Sequence, residues 1–163
     1  MKLNWRESLT PALKTAKNLA LLGIGSTLNS DDAAGMLLIE ELKQRGLDET
    51  RILLIGGSSA PENFTGVIGD FAPDLLVAVD AARLGLDPGQ VAMLAGEELH
   101  GMGFSTHMLP FSIMLQYLER QGLTNVLLLG IEPLSTEFGF EISAPVRQAV
   151  RELTDFFARE LGE

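Results

Sequence analysis

The stretch LALLGIGSTLNSDDAAG, residues 19–35, decides the fold. Leu19, Ala20, Leu21 and Leu22 form an apolar run of strand character, and Gly23 and Gly25 open a loop behind it. Residues 31–45 then carry Ala34, Leu37, Leu38 and Leu42 at helical spacing. Strand, glycine loop and helix start together have the outline of a phosphate-binding turn. Yet Asp31 and Asp32 stand where a phosphate would rest, and would repel it. A dinucleotide fingerprint needs a third glycine where the chain has Leu28, and a P-loop needs Gly-Lys-Ser/Thr, which is absent. For Asp31 a position in the first helical turn, favoured by the helix dipole, is reason enough. Asp32 needs support from elsewhere in the chain.

Outward from this unit the pattern repeats. Strand-like runs fall at residues 19–24, 51–55, 75–79, 90–94 (the weakest) and 126–131. Helical spacing recurs at Phe111, Met114, Leu115 and Leu118, and again at Val146, Ala149, Val150, Leu153 and Phe157. Gly46 and Gly122 are stop signals, and Ser143 with Pro145 opens the last helix. Strands apolar on both faces, alternating with helices, predict an α/β three-layer sandwich: a mostly parallel five-stranded sheet flanked by helices. A chain of 163 residues suits one domain spanning residues 1–163. Residues 1–17 are expected to form an extension packing on it, through Trp5, Leu9, Ala12, Leu13 and Ala16, with Thr10-Pro11 as a helix start. Its Lys2, Arg6, Lys14 and Lys17 offer a docking face.

Composition excludes several functions. Formal net charge is −10 and 46% of residues are hydrophobic, with a pI near 4.6. Nucleic acid is not expected as a partner, because its phosphates would be repelled and no basic stripe offsets this. The longest apolar runs are strand-length, so no membrane association is expected, and with no signal-like N-terminus the expected location is the cytoplasm. There are no cysteines, so any metal site must use His, Asp, Glu or ligands brought by a partner.

In open α/β sheets ligands collect at the carboxyl ends of strands. The first strand delivers Asp32, the second Gly56, Gly57, Ser58 and Ser59, and the third Asp80 at the end of Leu75-Leu76-Val77-Ala78-Val79. The fourth leads through a polar loop to Ser105-Thr106-His107. Taken alone, Asp80 reads equally as a turn residue or as a site carboxylate. His107, just behind two capping residues and ahead of Pro110, begins a helix whose positive end keeps the imidazole neutral and able to ligate. His100 reads as an exposed loop residue. Asp32, Asp80 and His107 make an O,O,N donor set suited to Zn²⁺ or Ni²⁺ more than to Ca²⁺ or Mg²⁺. Either carboxylate could instead be a general base.

At these residues the chain resembles the nickel–iron hydrogenase maturation endopeptidases, in the branch serving hydrogenase 3 of formate-hydrogenlyase-type complexes. The likeness rests on GIGSTLNSDDAAG at residues 23–35, GGSSAPEN at 56–63, VDA at 79–81, STHMLP at 105–110 and GIEP at 130–133. The resemblance implies an endopeptidase that removes the C-terminal extension of the hydrogenase large-subunit precursor after nickel insertion. It implies Asp32, Asp80 and His107 as metal-contacting residues, and nickel supplied by the substrate's own cysteines; zinc or cadmium could bind the same donors adventitiously. A monomer is expected. Two stretches depart from the family pattern. Ser26 replaces a usual Asn, and Gly56-Gly57-Ser58 replaces Asp-Gly-Gly, removing a carboxylate from the substrate loop. A non-cleaving checkpoint or chaperone that senses nickel loading is the alternative reading.

Overall fold

The computed structural model describes residues 1–100 and 108–162. Helix α1 (Trp5–Thr15) leads into β1 (Leu19–Ile24), a 3-10 turn (Ser30–Ala33) and α2 (Ala34–Lys43). Then come β2 (Ile52–Ser58), a second 3-10 turn (Pro61–Phe64), α3 (Thr65–Phe71) and β3 (Leu75–Ala81). β4 (Val91–Ala95), a third 3-10 turn (Gly96–Leu99), α4 (Met108–Arg120), β5 (Val126–Ile131) and α5 (Ala144–Gly162) complete the chain. No helix among the described residues is long and apolar enough to cross a membrane.

The five strands form one sheet in the order β2-β1-β3-β5-β4, parallel except for β4, which pairs antiparallel with β5. The expected α/β sandwich is therefore the observed one. Alternation along the strands divides the core. Leu75, Val77 and Val79 join α1, α2 and α5 on one face, whereas Leu76 and Ala78 join α3 and α4 on the other. From β1 the chain crosses by α2 to β2 on one side, then by α3 to β3 on the other. The crossover direction thus reverses between β1 and β3, which opens a crevice at their carboxyl ends.

Three expectations are corrected. First, β4 runs antiparallel, so its own carboxyl end lies at the opposite edge of the sheet from those of β1, β2 and β3, and residues 101–107 that follow lie outside the described residues. α4, packed on the Leu76 and Ala78 face, runs back along the sheet. Second, the helix expected over residues 31–45 begins with the 3-10 turn, and α2 proper starts at Ala34. Third, Thr10-Pro11 does not start a helix: α1 runs through it, because Trp5, Leu9 and Leu13 bury one face against α5, with Trp5 edge-on to Phe156 at 4.9 Å. That packing offsets the backbone hydrogen bond Pro11 cannot donate. The N-terminal cations sit in different settings. Arg6 pairs with Glu152 at 2.9 Å and lies over the Trp5 ring, and Lys2 bridges Met93 on the edge of β4.

The approach of α2 to the sheet is set by glycine. A Cβ on Gly35 would stand 2.3 Å from the Val79 carbonyl oxygen and 2.6 Å from that of Ile24. A Cβ on Gly23 would stand 2.2 Å from the Gly35 oxygen. These obstacles are backbone atoms and cannot turn aside. Gly35→Ala is expected to destabilise the fold by about 3 kcal/mol or more, measured by urea unfolding, since overpacking has no side chain to displace. A loss below about 1 kcal/mol would contradict this packing.

Candidate functional site

The opening loop is built around its own carboxylate. Gly25 has φ +123°, and a Cβ there would lie 1.9 Å from the Asp32 carbonyl oxygen. Only glycine permits that turn. It lets the Ser26 N–H donate to Asp32 Oδ2 at 2.8 Å, while the Asp32 N–H donates to the Asn29 oxygen at 3.1 Å. A phosphate loop turns such a backbone amide toward its ligand, whereas in this loop the amide binds Asp32. The side chain is held in one position, 7% exposed, at the carboxyl edge.

Asp80 is wholly buried in β3, one residue past the Val79–Gly23 pair and opposite Gly130 of β5. Strand alternation puts it on the face of Leu76 and Ala78, the face that α4 covers. The turn carrying Asp32 packs directly on β3. The two carboxylates thus flank the crevice where the crossover reverses. A turn residue would sit beyond the strand, whereas Asp80 lies within it, paired in the sheet. His107, with Ser105 and Thr106, lies outside the described residues. Among the described residues no group of three His, Cys, Asp or Glu side chains is arranged to hold a metal. His100 is exposed, 3.6 Å from Glu119.

The carboxyl end of β2, which runs on through Gly56, Gly57 and Ser58 where the sequence suggested a loop, borders the opening loop on its other side. The Gly25 N–H donates to the Ser58 oxygen at 2.8 Å, tying the two together. Ser58 adopts φ +53°, a left-handed conformation uncommon for a residue with a Cβ, and its N–H donates to Met36 Sδ at 3.2 Å. The missing carboxylate of this segment has a physical counterpart. A Cβ on Gly56 would meet Met36 Cε at 2.9 Å and Sδ at 3.2 Å, so Met36 fills the space beside it. Because Met36 is flexible, Gly56→Asp is expected to fold, with a stability loss of no more than about 2 kcal/mol. The check is a thermal melt beside that of Met36→Ala/Gly56→Asp, in which the loss should shrink.

Two further carboxylates shape the site, and sequence reasoning misses both. Asp31 is not a simple first-turn residue. It is wholly buried, and accepts from the N–H groups of Leu134, Ser135 and Ser143 at 2.8, 3.1 and 2.6 Å and from Ser143 Oγ at 2.9 Å. Glu132, 7% exposed, accepts from the Leu84 N–H at 2.5 Å and the Leu86 N–H at 3.3 Å, fixing the loop after β3. A carboxylate closing an otherwise apolar run is the available signal for Glu132. For Asp31, whose partners are over a hundred residues away, there is none. Leu28 of the opening loop and Leu134, Phe138 and Phe140 of the segment after β5 are 59–75% exposed, and the Gly139 N–H donates to the Leu28 oxygen at 2.9 Å, tying the two segments into one apolar rim.

Comparison with known proteins agrees with this architecture. The family model described as hydrogenase maturation protease matches residues 36–160, a stretch that includes Asp80 and begins past Asp32. The hydrogenase 3 maturation protease of Escherichia coli K12 is 32% identical over 131 residues, covering 80% of this chain and 82% of its own. The crystal structure of the [NiFe] hydrogenase maturation protease HycI from Thermococcus kodakarensis superposes with a TM-score of 0.86 at 30% identity, covering 96% of this chain and 99% of that one. The E. coli hydrogenase maturating endopeptidase HybD shares the fold, with a TM-score of 0.73 at 24% identity over 85% of this chain and 88% of its own. Sequence and fold together place this chain in the hydrogenase maturation protease family.

Proposed function

We propose that this protein cuts the C-terminal extension from the precursor of a nickel–iron hydrogenase large subunit once nickel has been inserted, and that the nickel arrives as part of the substrate. The observation that carries this reading is the pair Asp32 and Asp80, set on either side of the crossover reversal in a chain that holds no cysteine. Such a chain offers an incomplete donor set, which a metal already held by substrate thiolates completes. Asp32, Asp80 and His107 then contact the nickel. That contact positions the scissile bond beside the carboxylates, and one of Asp32 and Asp80 leaves the metal as the water attacks and takes its proton. The water adds to the carbonyl carbon, and the proton passes to the leaving amide nitrogen as the C–N bond breaks. Nothing in the chain supplies a cysteine nucleophile.

The rim of Leu28, Leu134, Phe138 and Phe140 supports a protein substrate over a small molecule. Exposed apolar side chains gathered beside a site suit a protein–protein contact. The test is the intact mass of the cognate precursor, with and without nickel, after incubation with the wild type and with His107→Ala. Loss of a defined C-terminal peptide only with nickel and intact His107 supports the reading. Nickel-dependent binding without any mass change replaces it by the checkpoint, which the neutral Gly56 position favours.

A further inference from the structure

Ser58, at the carboxyl end of β2, holds a conformation that its own Cβ opposes. Its φ is +53°, in the left-handed region where a side chain crowds the backbone. Ser30 and Ala72 share that region, each for a reason within the fold. Ser30 is buried and its hydroxyl donates to the Glu141 oxygen at 2.9 Å, while Ala72 closes α3. Ser58 has no such reason. Its side chain is exposed, and its hydroxyl makes no hydrogen bond among the described residues. Ser59, one residue past the strand, is exposed as well but does not share the left-handed conformation.

The strain is held from both sides. The Ser58 N–H donates to Met36 Sδ at 3.2 Å, and its carbonyl oxygen accepts from the Gly25 N–H at 2.8 Å. The register against β1 slips at this point. Gly23 pairs with Gly56 and Ile24 with Ser58, which leaves Gly57 as the extra residue of a bulge. A bulge at a strand end re-aims the side chain beside it. The amide next to Gly25, that of Ser26, donates to Asp32 Oδ2 at 2.8 Å. Ser58 and Asp32 therefore hang from two consecutive N–H groups, one peptide unit apart. Across the sheet order β2-β1-β3 the carboxyl edge presents Ser58, Asp32 and Asp80 in turn. Both backbone groups of Ser58 serve the fold, and only the hydroxyl is left to meet a ligand. Strain kept in place around such a group points to function.

We infer that the Ser58 hydroxyl contacts the precursor, donating a hydrogen bond to a main-chain carbonyl beside the scissile bond. The inference rests on the endopeptidase reading above, and adds to it a substrate contact on the β2 side of the crevice. Chemistry selects the acceptor. Ionised carboxylates accept hydrogen bonds and hold a metal, but they donate nothing to a carbonyl. A chain laid across this edge presents carbonyls as well as N–H groups, and a hydroxyl binds one without adding charge. A hydroxyl with no base bonded to it is a weak nucleophile, so Ser58 binds and does not attack. No bond to Ser58 is made or broken, and its proton stays on the oxygen.

The test compares the wild type with Ser58→Ala and Ser58→Gly. Ala removes the hydroxyl alone and keeps a Cβ in the left-handed region, whereas Gly removes the strain as well. Thermal melts should place Ser58→Ala near the wild type and Ser58→Gly at or above it. Binding of the nickel-loaded precursor is read by surface plasmon resonance in the cold, before turnover. It should weaken about five- to tenfold in both variants, the weight of one neutral hydrogen bond. Cleavage should show the same rise in KM with kcat within about threefold, the pattern of binding lost equally in ground and transition states. A variant that melts higher yet binds more weakly separates the contact from the fold. Wild-type binding by Ser58→Ala overturns the inference, even where Ser58→Gly is weakened, because the rigidity of the bulge and not the hydroxyl then matters. A wild type that binds the precursor, with both variants weakened, but never cuts it sinks the endopeptidase reading and keeps the contact.

Discussion

Asp80→Asn and Asp32→Asn should each slow precursor processing by at least about 10³-fold while leaving the protein folded. The amide keeps the shape of the carboxylate but has neither its charge nor its basicity. Whether the residue ligates the substrate's nickel or accepts a proton, the transition state therefore loses roughly 4 kcal/mol. At Asp80, wholly buried within β3, the amide has nearly the same volume as the carboxylate, so the variant is expected to stay folded. At Asp32 the Ser26 N–H still finds the amide oxygen, so that loop also survives. The measurement is single-turnover cleavage of nickel-loaded precursor beside a thermal melt. Activity within tenfold of wild type in either variant would remove that residue from the chemistry.

These residues are legible in the sequence to different degrees. The sheet can be read from it: β1 and β5 are wholly buried runs whose ends match their apolar limits. Asp80 stands out because a charge closes such a run. The direction of β4 cannot be read, since five residues buried through the three central positions carry no polarity and only the pairing with β5 supplies it. α3 escapes notice because a seven-residue helix with Gly66 and Gly69 has little helical signal, and Ile68 alone anchors it in the core. Gly56 reads in sequence as a lost carboxylate. Its replacement by the thioether of Met36, twenty residues earlier and on another element, exists only in three dimensions.

Asp31 marks the limit of local reading, and its removal should produce the opposite phenotype to that of its neighbour. Three backbone N–H groups converge on its carboxylate, from Leu134, Ser135 and Ser143, together with the Ser143 hydroxyl. The Asp31 N–H returns a bond to the Ser135 oxygen at 3.1 Å. This one side chain joins the turn before α2, the segment after β5 and the entry to α5. Asp31→Ala strands those N–H groups in a buried place, at about 1–3 kcal/mol for each donor that cannot reach water. A total loss on the order of 4 kcal/mol follows, and for a domain of this size a melting point lower by roughly 10 °C. Asp31→Asn should lose less, since its amide oxygen still accepts while its NH₂ faces donors and repels them. Both variants should keep measurable cleavage at low temperature, where the folded fraction persists, because no part of Asp31 is free to meet a substrate. The neighbouring Asp32→Asn should instead melt near wild type and be inactive at every temperature. Two adjacent carboxylates in one 3-10 turn are thereby separated by experiment, one holding the loops and the other serving the reaction. If Asp31→Ala melts with the wild type, the buried network does not hold the loops together. If it is folded but inactive, the carboxylate that acts on substrate has been assigned to the wrong residue.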